Sequence, residues 1–334
     1  MRHIFYINPA AGRRSCMDKL ASRIDAYFAA HGGSCAIVQT AAPRELVELS
    51  RAEALKGGEV RMYACGGDGT MFDLVNGVYG LPNVEVGEIP CGSANDFIRF
   101  FGTPEDFMDI EGQVLGASAP LDVIREGERY ALNQCSMGMD AEVAARKDSY
   151  KNLPLVSGSM SYNLALLSAF IRNTHNKFRV RFDGGDEEAG DYLFVVAANA
   201  PYYGGGFMSA PAACPNDGLL ECVTIDSVPR RRILALMGAY RRGEHVNFDF
   251  CRIRRVTQVE IWAEKQAPVN MDGEIFRTNH AVFSVAEQRI RFIVPGICAR
   301  KMNEKERAEL AAAKRELAAG SVPAFDVRHP ESGK

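Results

Sequence analysis

Residues 65–70 read Cys65-Gly66-Gly67-Asp68-Gly69-Thr70 and directly follow the apolar run Val60-Arg61-Met62-Tyr63-Ala64. A glycine cluster at the end of a buried strand, with a helix predicted over Thr70–Tyr79, leaves few folds open. Glycine has no Cβ, so it opens positive φ angles and lets backbone N–H groups converge on an anion. The helix start adds unpaired N–H donors and a positive dipole end. Asp68 does not suit a plain anion cradle, because its carboxylate repels phosphate unless a cation or a donor hydroxyl intervenes. The segment therefore points to phosphate and a metal together.

Around this turn the first 120 residues alternate strand and helix patterns. Strands are predicted at Ile4–Ile7, Cys35–Gln39, Val60–Ala64 and Val84–Ile89, and helices at Met17–Ala30, Pro43–Leu55 and Phe97–Phe101. Proline at position 43 suits a first helical turn. This order predicts an α/β, Rossmann-like domain with a mainly parallel sheet and helices on both faces. Ligands of such sheets bind beyond the carboxyl ends of the strands. The loops at Asn8, Gly66 and Gly92 all follow strands and converge on that edge.

After Leu121 the texture changes to short strand-like runs. These are Leu121–Ile124, Tyr130–Cys135, Phe178–Phe182, Tyr192–Ala198, Leu219–Ile225, Val256–Trp262, Val282–Val285 and Ile290–Val294. Helical patterns at Ser161–Arg172 and Arg230–Arg241 interrupt them. The reading is a β-rich sandwich domain over 121–294 following the α/β domain over 1–120. A charged amphipathic helix is expected at Glu304–Leu317, within a segment of about 295–318 packed back on the first domain. A frayed tail is expected over 319–334.

Bulk properties exclude several classes. The chain has 334 residues, enough for two sizeable cores, and a net charge of −3, which does not mark a nucleic-acid binder. No run approaches the ~20 apolar residues of a membrane-spanning helix, and the Ile4–Ile7 stretch is too short for a signal-peptide core. Nine scattered cysteines without a C-x-x-C pair suggest reduced thiols in a cytoplasmic protein. The six histidines form no cluster with metal spacing, and no G-x-S-x-G occurs.

Several other segments carry possible chemistry, each with a plainer explanation beside it. Gly92-Ser93-Ala94-Asn95-Asp96-Phe97 repeats the strand–glycine–hydroxyl–helix design, although Ser93 or Asn95 would serve equally as an N-cap. Arg13 and Arg14 offer guanidiniums near the same edge, or a solvated surface. Asn216-Asp217-Gly218 and Asn270-Met271-Asp272-Gly273-Glu274 are acidic turns, and Asp-Gly is also a common hairpin pair. Asp272 and Glu274, two apart on one strand, would share a face and suit a metal or a general base. Gly204-Gly205-Gly206 is either a flexible tip or a point of close backbone approach.

Together these segments resemble the diacylglycerol kinase catalytic family, especially its soluble bacterial lipid kinases, with sphingosine and ceramide kinases as relatives. The resemblance is carried in family order by Asn8-Pro9 with Gly12, the Gly66–Thr70 turn, and Pro90 with Gly92–Phe97 and Arg99. It continues through Gly138-Met139-Asp140-Ala141, Gly204–Gly206, Asp217-Gly218-Leu219 and Asp272-Gly273-Glu274, spanning roughly residues 3–295.

The resemblance implies a two-domain, ATP-dependent kinase with its site in the interdomain cleft. Asn8, Gly66, Gly67, Gly69, Thr70 and Gly92 would hold the nucleotide, with Ser93 and Asn95 helping to seat it. Asp68 would act near the phosphates through Mg²⁺. Asp272 is expected as the base that takes the lipid hydroxyl proton, with Glu274 as a metal or orienting partner. Asp217 and the backbone carbonyl of Leu219 are the candidates for a second, structural metal. Two departures stand out. Ser93 replaces the family's usual Thr, and Asp217 is preceded by Cys214-Pro215-Asn216 in place of further acidic ligands.

The expected acceptor is a lipid, most readily diacylglycerol, met by peripheral contact at the inner membrane face. Arg230-Arg231-Arg232 and Arg241-Arg242 flank an apolar helical stretch that would either touch anionic lipid or pack on the core. The competing functions are an NAD kinase and a non-catalytic nucleotide-binding regulator on the same fold.

Overall fold

The computed structural model describes residues 1–9, 11, 14–151 and 175–299. The helix expected at 161–172, Gly12 and Arg13, and everything from residue 300 onward lie outside the described residues. The first lobe contains strands β1 (Arg2–Ile7), β2 (Ser34–Gln39), β3 (Val60–Gly66), β4 (Val84–Pro90) and β5 (Ala117–Leu121). Its helices are α1 (Arg14–His31), α2 (Glu45–Ala54), α3 (Asp68–Val78), α4 (Pro104–Phe107) and α5 (Ile110–Leu115). A 3-10 turn, Phe97–Phe100, stands where a longer helix was expected.

The second lobe contains β6 (Ile124–Glu126), β7 (Arg129–Ala131), β8 (Gln134–Gly138), β9 (Asn176–Phe182), β10 (Glu187–Ala198), β11 (Tyr202–Tyr203) and β12 (Phe207–Met208). It continues with β13 (Leu220–Asp226), β14 (Cys251–Val256), β15 (Gln258–Met271) and β16 (Glu274–Val285). Helices α6 (Met139–Lys151) and α7 (Arg230–Arg242) accompany these strands, and β17 (Ile290–Val294) is the last strand of the described residues.

The first sheet has the order β2-β1-β3-β4-β17-β5. Strands β1 to β4 pair in parallel, as the alternating pattern predicts. Both faces of this sheet are covered, so its central strands are mainly apolar, with Arg61, Glu85 and Glu88 as the charged exceptions in β3 and β4. Ile4, Tyr6, Met62, Ala64 and Val86 pack with Leu46, Leu74 and Val75 of α2 and α3 on one face. Phe5, Ile7, Tyr63, Cys65 and Ile89 pack with Leu20 and Ile24 of α1 on the other.

Strand β17 corrects the sequence reading, which put Ile290–Val294 with the β-rich half. It slots between β4 and β5, parallel to the former and antiparallel to the latter. Its two apolar faces explain the placement. Phe292 packs against Phe97 and Phe101 at ring separations of 5.2 and 5.4 Å, while Ile293 joins the core on the opposite face. Arg291 pairs with buried Glu85, which Arg61 also meets at 2.7 Å and Ser118 at 2.7 Å. One polar ladder thus ties β3, β4, β17 and β5 together. The chain leaves the first sheet after β5 and returns to it as β17, so two adjacent crossovers join the lobes. The expected strand Leu121–Ile124 is the outgoing crossover, split between the end of β5 and the start of β6.

Among the described residues the second lobe is built on a nine-stranded antiparallel sheet. Strands β10 and β15 are long, and both carry register shifts, near Tyr192/Phe194 and between Trp262 and Ala267. At one end they are bridged by β8 and at the other by β9. The long strands therefore bend through two packed layers, which gives the β-rich, sandwich-like lobe expected. The run expected at Val256–Trp262 is in fact the junction of two strands, β14 and β15. Strand β14 was not anticipated, because Arg252, Arg254 and Arg255 mask its alternation.

Helix α7 buries Ile233, Leu236 and Tyr240 against the second lobe. Arg232 pairs with Asp249 at 2.7 Å and lies over Phe250, and Arg242 pairs with Glu244 at 2.6 Å. That is the packed-helix alternative of the two considered. No helix of the described residues is long and apolar enough to cross a membrane.

Candidate active site

The glycine turn is tighter than its sequence suggested. Strand β3 runs through Gly66, Gly67 alone caps the helix, and α3 begins at Asp68. The glycines are needed here for space and not for a positive φ, which none of Gly66, Gly67, Gly69 and Gly92 adopts. A Cβ on Gly66 would lie 2.1 Å from Thr70 Oγ1, and one on Gly92 would lie 2.5 Å from the Gly67 Cα. The loops after β3 and β4 therefore touch backbone to backbone, and the β4 loop is held by N–H donation from Cys91 and Gly92 to the Gly66 carbonyl.

Side chains lock this arrangement. Asn8 Nδ2 donates to Thr70 Oγ1 at 3.1 Å, joining the loop after β1 to α3. Asn95, at φ 46°, donates from its amide to the Gly92 carbonyl at 3.0 Å. That turn aims the backbone N–H groups of Asn95 and Asp96 at the Asp68 carboxylate, at 3.1 and 2.8 Å. The partner that reconciles Asp68 with its surroundings inside the protein is thus a pair of amides. Asp96 in turn accepts from Arg99 Nε at 3.1 Å and from the backbone N–H of Gly205 at 2.7 Å. Gly204, Gly205 and Gly206 all have positive φ, so this run needs glycine for its path. Its close approach is to Asp96 of the other lobe. Ser93 is exposed at the rim.

Negative charge accumulates where the lobes meet. Burial, followed by the charges of Asp68, Asp96 and Asp272, pushes Glu88 well above the usual carboxylate range. Neither of its carboxylate oxygens has a hydrogen-bond partner among the described residues. Burial and then Asp68 raise Asp96 to about 6. Such an excess suits a divalent cation that arrives with phosphate oxygens, since Mg²⁺ is usually held by one or two carboxylates plus substrate phosphates. No group of three or more His, Cys, Asp or Glu side chains among the described residues forms a metal cage by itself. The residues at this edge therefore fit a nucleotide-borne Mg²⁺.

The second lobe reaches this edge through the tip of the β15–β16 hairpin. Asp272 (φ 49°) and Gly273 (φ 95°) form its two-residue turn, and Met271 pairs with Glu274 across it. The expected shared face of Asp272 and Glu274 is therefore wrong, because Asp272 belongs to the turn and not to a strand.

The Asp272 carboxylate folds back over the start of β8. Oδ1 accepts from the N–H of Gln134 at 2.7 Å and of Asn133 at 3.2 Å. Oδ2 accepts from Leu132 at 2.7 Å and Asn133 at 3.1 Å. Burial pushes Asp272 up to about 7 against these three donors, the Asn133 N–H being shared between both oxygens, and Asp68 adds to the rise. Glu274 points elsewhere. Its Oε1 lies 3.6 Å from where a Gly69 Cβ would stand, and its Oε2 lies 3.4 Å from Arg44 Nη2. Arg44 has a positive φ of 64° at the start of α2. Nearby Asp73 rises to about 6 through burial and then the Glu274 charge.

Asn8, Gly66, Gly67, Asp68, Gly69, Thr70, Gly92, Ser93 and Asn95 thus gather at the carboxyl ends of β1, β3 and β4, and the Asp272–Glu274 turn reaches the same edge through Glu274 beside Gly69. Asp217 and Leu219 lie in a loop beside the crossovers, where Leu219 donates its N–H to Asp217 Oδ1 at 3.0 Å and Arg255 pairs with Oδ2. Both carboxylate oxygens of Asp217 are thus already engaged within the protein. Sequence reasoning overlooked Asp96 as a clasp between lobes, although it stood inside a quoted motif. It overlooked Glu88 despite the signal of an acid inside the apolar run Val84–Ile89. The amides of Leu132–Gln134 had no signal at all, since a backbone N–H has no side-chain signature.

Residues 2–125 match the family model described as the diacylglycerol kinase catalytic domain. Residues 133–294 match the model described as the YegS C-terminal NAD kinase beta sandwich-like domain. A protein of Chromohalobacter salexigens named "Probable lipid kinase YegS-like" is 31% identical over 235 residues, covering 68% of this chain and 73% of its own. A diacylglycerol kinase of Bacillus subtilis is 27% identical over 277 residues, covering 80% and 88%. The crystal structure of a diacylglycerol kinase from Bacillus anthracis superposes with a TM-score of 0.65 at 17% identity, over 89% of this chain and 98% of its own, so the fold is shared.

Proposed function

The chain belongs to the diacylglycerol kinase catalytic family, an enzyme family of lipid kinases, and from that premise we propose that it transfers the γ-phosphate of ATP to a lipid hydroxyl, with diacylglycerol as the leading acceptor and phosphatidic acid as product. The observation that carries the reading is the position of Glu274, a second-lobe carboxylate set against Gly69 in the first turn of α3.

Phosphoryl transfer requires positioning and charge neutralisation more than covalent help from the protein. The backbone of Gly67 to Gly69 at the start of α3 receives the phosphates, with N–H donors and the helix dipole. Asp68 would hold a Mg²⁺ that arrives with the nucleotide, and the ion would supply the positive charge that this edge lacks. Asp96 and Gly205 hold the lobes in register.

The role of base passes from Asp272 to Glu274. Both oxygens of Asp272 are engaged by three backbone N–H donors, those of Leu132, Asn133 and Gln134, with the Asn133 N–H shared between the two. A general base needs a free site within reach of the proton it removes. Glu274 keeps such a site and takes the proton of the acceptor hydroxyl, while Asp272 fixes the hairpin tip that presents it. Peripheral contact with the inner membrane face would deliver the lipid.

The test is to supply radiolabelled ATP with a lipid extract or with NAD and to identify the labelled product by mass. Labelled phosphatidic acid supports the reading. Label on NAD alone replaces it with an NAD kinase, and no labelled product at all favours a nucleotide-binding regulator.

A further inference from the structure

The loop Cys214–Leu219 lies against both crossovers between the lobes, and two of its oxygens, Asp217 Oδ2 and the Asn216 carbonyl, are met by arginines. Asp217 Oδ2 pairs with Arg255 at the end of β14, and Asp217 Oδ1 accepts the N–H of Leu219 at 3.0 Å. The carbonyl of Asn216 accepts from Arg289 Nη2 at 3.1 Å. Arg289 stands on the return crossover, and its Nε donates to Asp122 Oδ1 at 2.7 Å on the outgoing one. Asp122 is 2% exposed, and its Oδ2 accepts the N–H of Gly218 at 2.6 Å. Its own N–H donates to the Pro215 carbonyl at 2.7 Å.

A hard divalent cation in this loop would need these carboxylate and carbonyl oxygens. Guanidinium groups are always charged and cannot be titrated away. A cation reaching Asp217 would meet Arg255, and one reaching the Asn216 carbonyl would meet Arg289. We propose that this loop takes no structural metal and that Arg255 and Arg289 stand in its place, fastening the loop to the crossovers that set the angle between the lobes. Arg289 bridges the two crossovers directly and has the larger share. Arg255 closes the outer side of the loop and is half exposed, so its share is smaller. This inference does not depend on the kinase reading, because its test measures stability and not turnover.

The experiment follows thermal unfolding of the nucleotide-free full chain in EDTA and in excess Mg²⁺, for wild type, Asp217→Asn, Arg255→Ala and Arg289→Ala. The wild-type midpoint should be the same in both media, or should shift by an amount that Asp217→Asn leaves unchanged, which places the Mg²⁺ elsewhere. Arg255→Ala should lower the midpoint by a few degrees in EDTA and recover part of it in Mg²⁺, because the freed Asp217 carboxylate becomes a cation ligand. Arg289→Ala should lower it further. A Mg²⁺-dependent rise in wild type that disappears in Asp217→Asn would overturn the proposal. So would an unchanged midpoint in both arginine variants.

Discussion

Asp272-Gly273 and Asp217-Gly218 are the same dipeptide, both in turns of the second lobe, and the structure uses them in opposite ways. Among the described residues Asp272 is met by backbone N–H groups and by no cationic side chain, close to Asp68 of the other lobe. Asp217 is met by a guanidinium, and its charge is neutralised at the periphery. The turn chemistry is shared, whereas the partners differ. A carboxylate ringed by amides orients its neighbours and adds to the local field. A carboxylate closed by arginine is a fastener. Two acidic turns that look equivalent in a sequence therefore become a site component and a brace.

The largest effects should come from the cleft turn. Glu274→Gln should lower turnover by ~10²–10⁴-fold, the usual contribution of a general base, with little change in melting temperature. Asp272→Asn should lose both activity and stability, since an amide NH₂ would face the N–H donors of residues 132–134. Each backbone group left unsatisfied costs ~1–3 kcal/mol. Parallel kinetics and melting curves separate the two. If Asp272→Asn melts like wild type while Glu274→Gln keeps its turnover, the assignment of base and positioning residue is reversed.

Next in size is the contact between the two glycine loops. Gly92→Ala puts a Cβ 2.5 Å from the Gly67 Cα, so the loops must part. Overpacking of this kind costs ~1–3 kcal/mol, and ATP affinity measured by calorimetry should weaken with it. Unchanged affinity would mean that the phosphates do not depend on this contact.

A third, smaller effect is the pH dependence of the cleft turn. Asp272 and Asp96 are raised to about 7 and about 6 in the folded chain. Their folded pKa values lie above the unfolded ones, so the stabilisation is fully present below about pH 4 and is lost as pH rises through about 6 and 7. The nucleotide-free protein should melt higher near pH 5 than near pH 8. Asp272→Asn should reduce that difference.

Much of this could be read from the sequence, for identifiable reasons. The parallel sheet was legible because strands buried on both faces, such as β3 and β4, are nearly continuous apolar runs. The strand-end loops were legible because close backbone approach requires glycine. Strand β17 was misassigned because a five-residue apolar strand fits either lobe, and only its packing with Phe97 and Phe101 decides. The relation of Asp272 to Glu274 was misread because a two-residue turn and an extended strand place residues i and i+2 differently. Period-two reasoning cannot see that break. The partners of Asp68 and Asp272 are main-chain amides, which every residue but proline carries, so no pattern marks them.

The smallest expected effect concerns Arg44, which sits at φ 64° beside Glu274. A left-handed conformation costs a residue other than glycine ~1–2 kcal/mol, and Arg44→Gly removes that cost while adding ~0.5–1 kcal/mol of unfolded-chain entropy. The lost ion pair is exposed on both sides and contributes ~0–1 kcal/mol. Stability should therefore stay within about 1 kcal/mol of wild type, measured by denaturant unfolding. Turnover should fall by less than about tenfold if Arg44 only steadies the Glu274 carboxylate, since a tenfold change corresponds to ~1.4 kcal/mol. A much larger fall with unchanged stability would make Arg44 a contact to the nucleotide phosphates. The working parts of the cleft turn would then include a cation from the first lobe, and its contrast with the arginine-closed Asp217 turn would narrow to which anion the guanidinium serves.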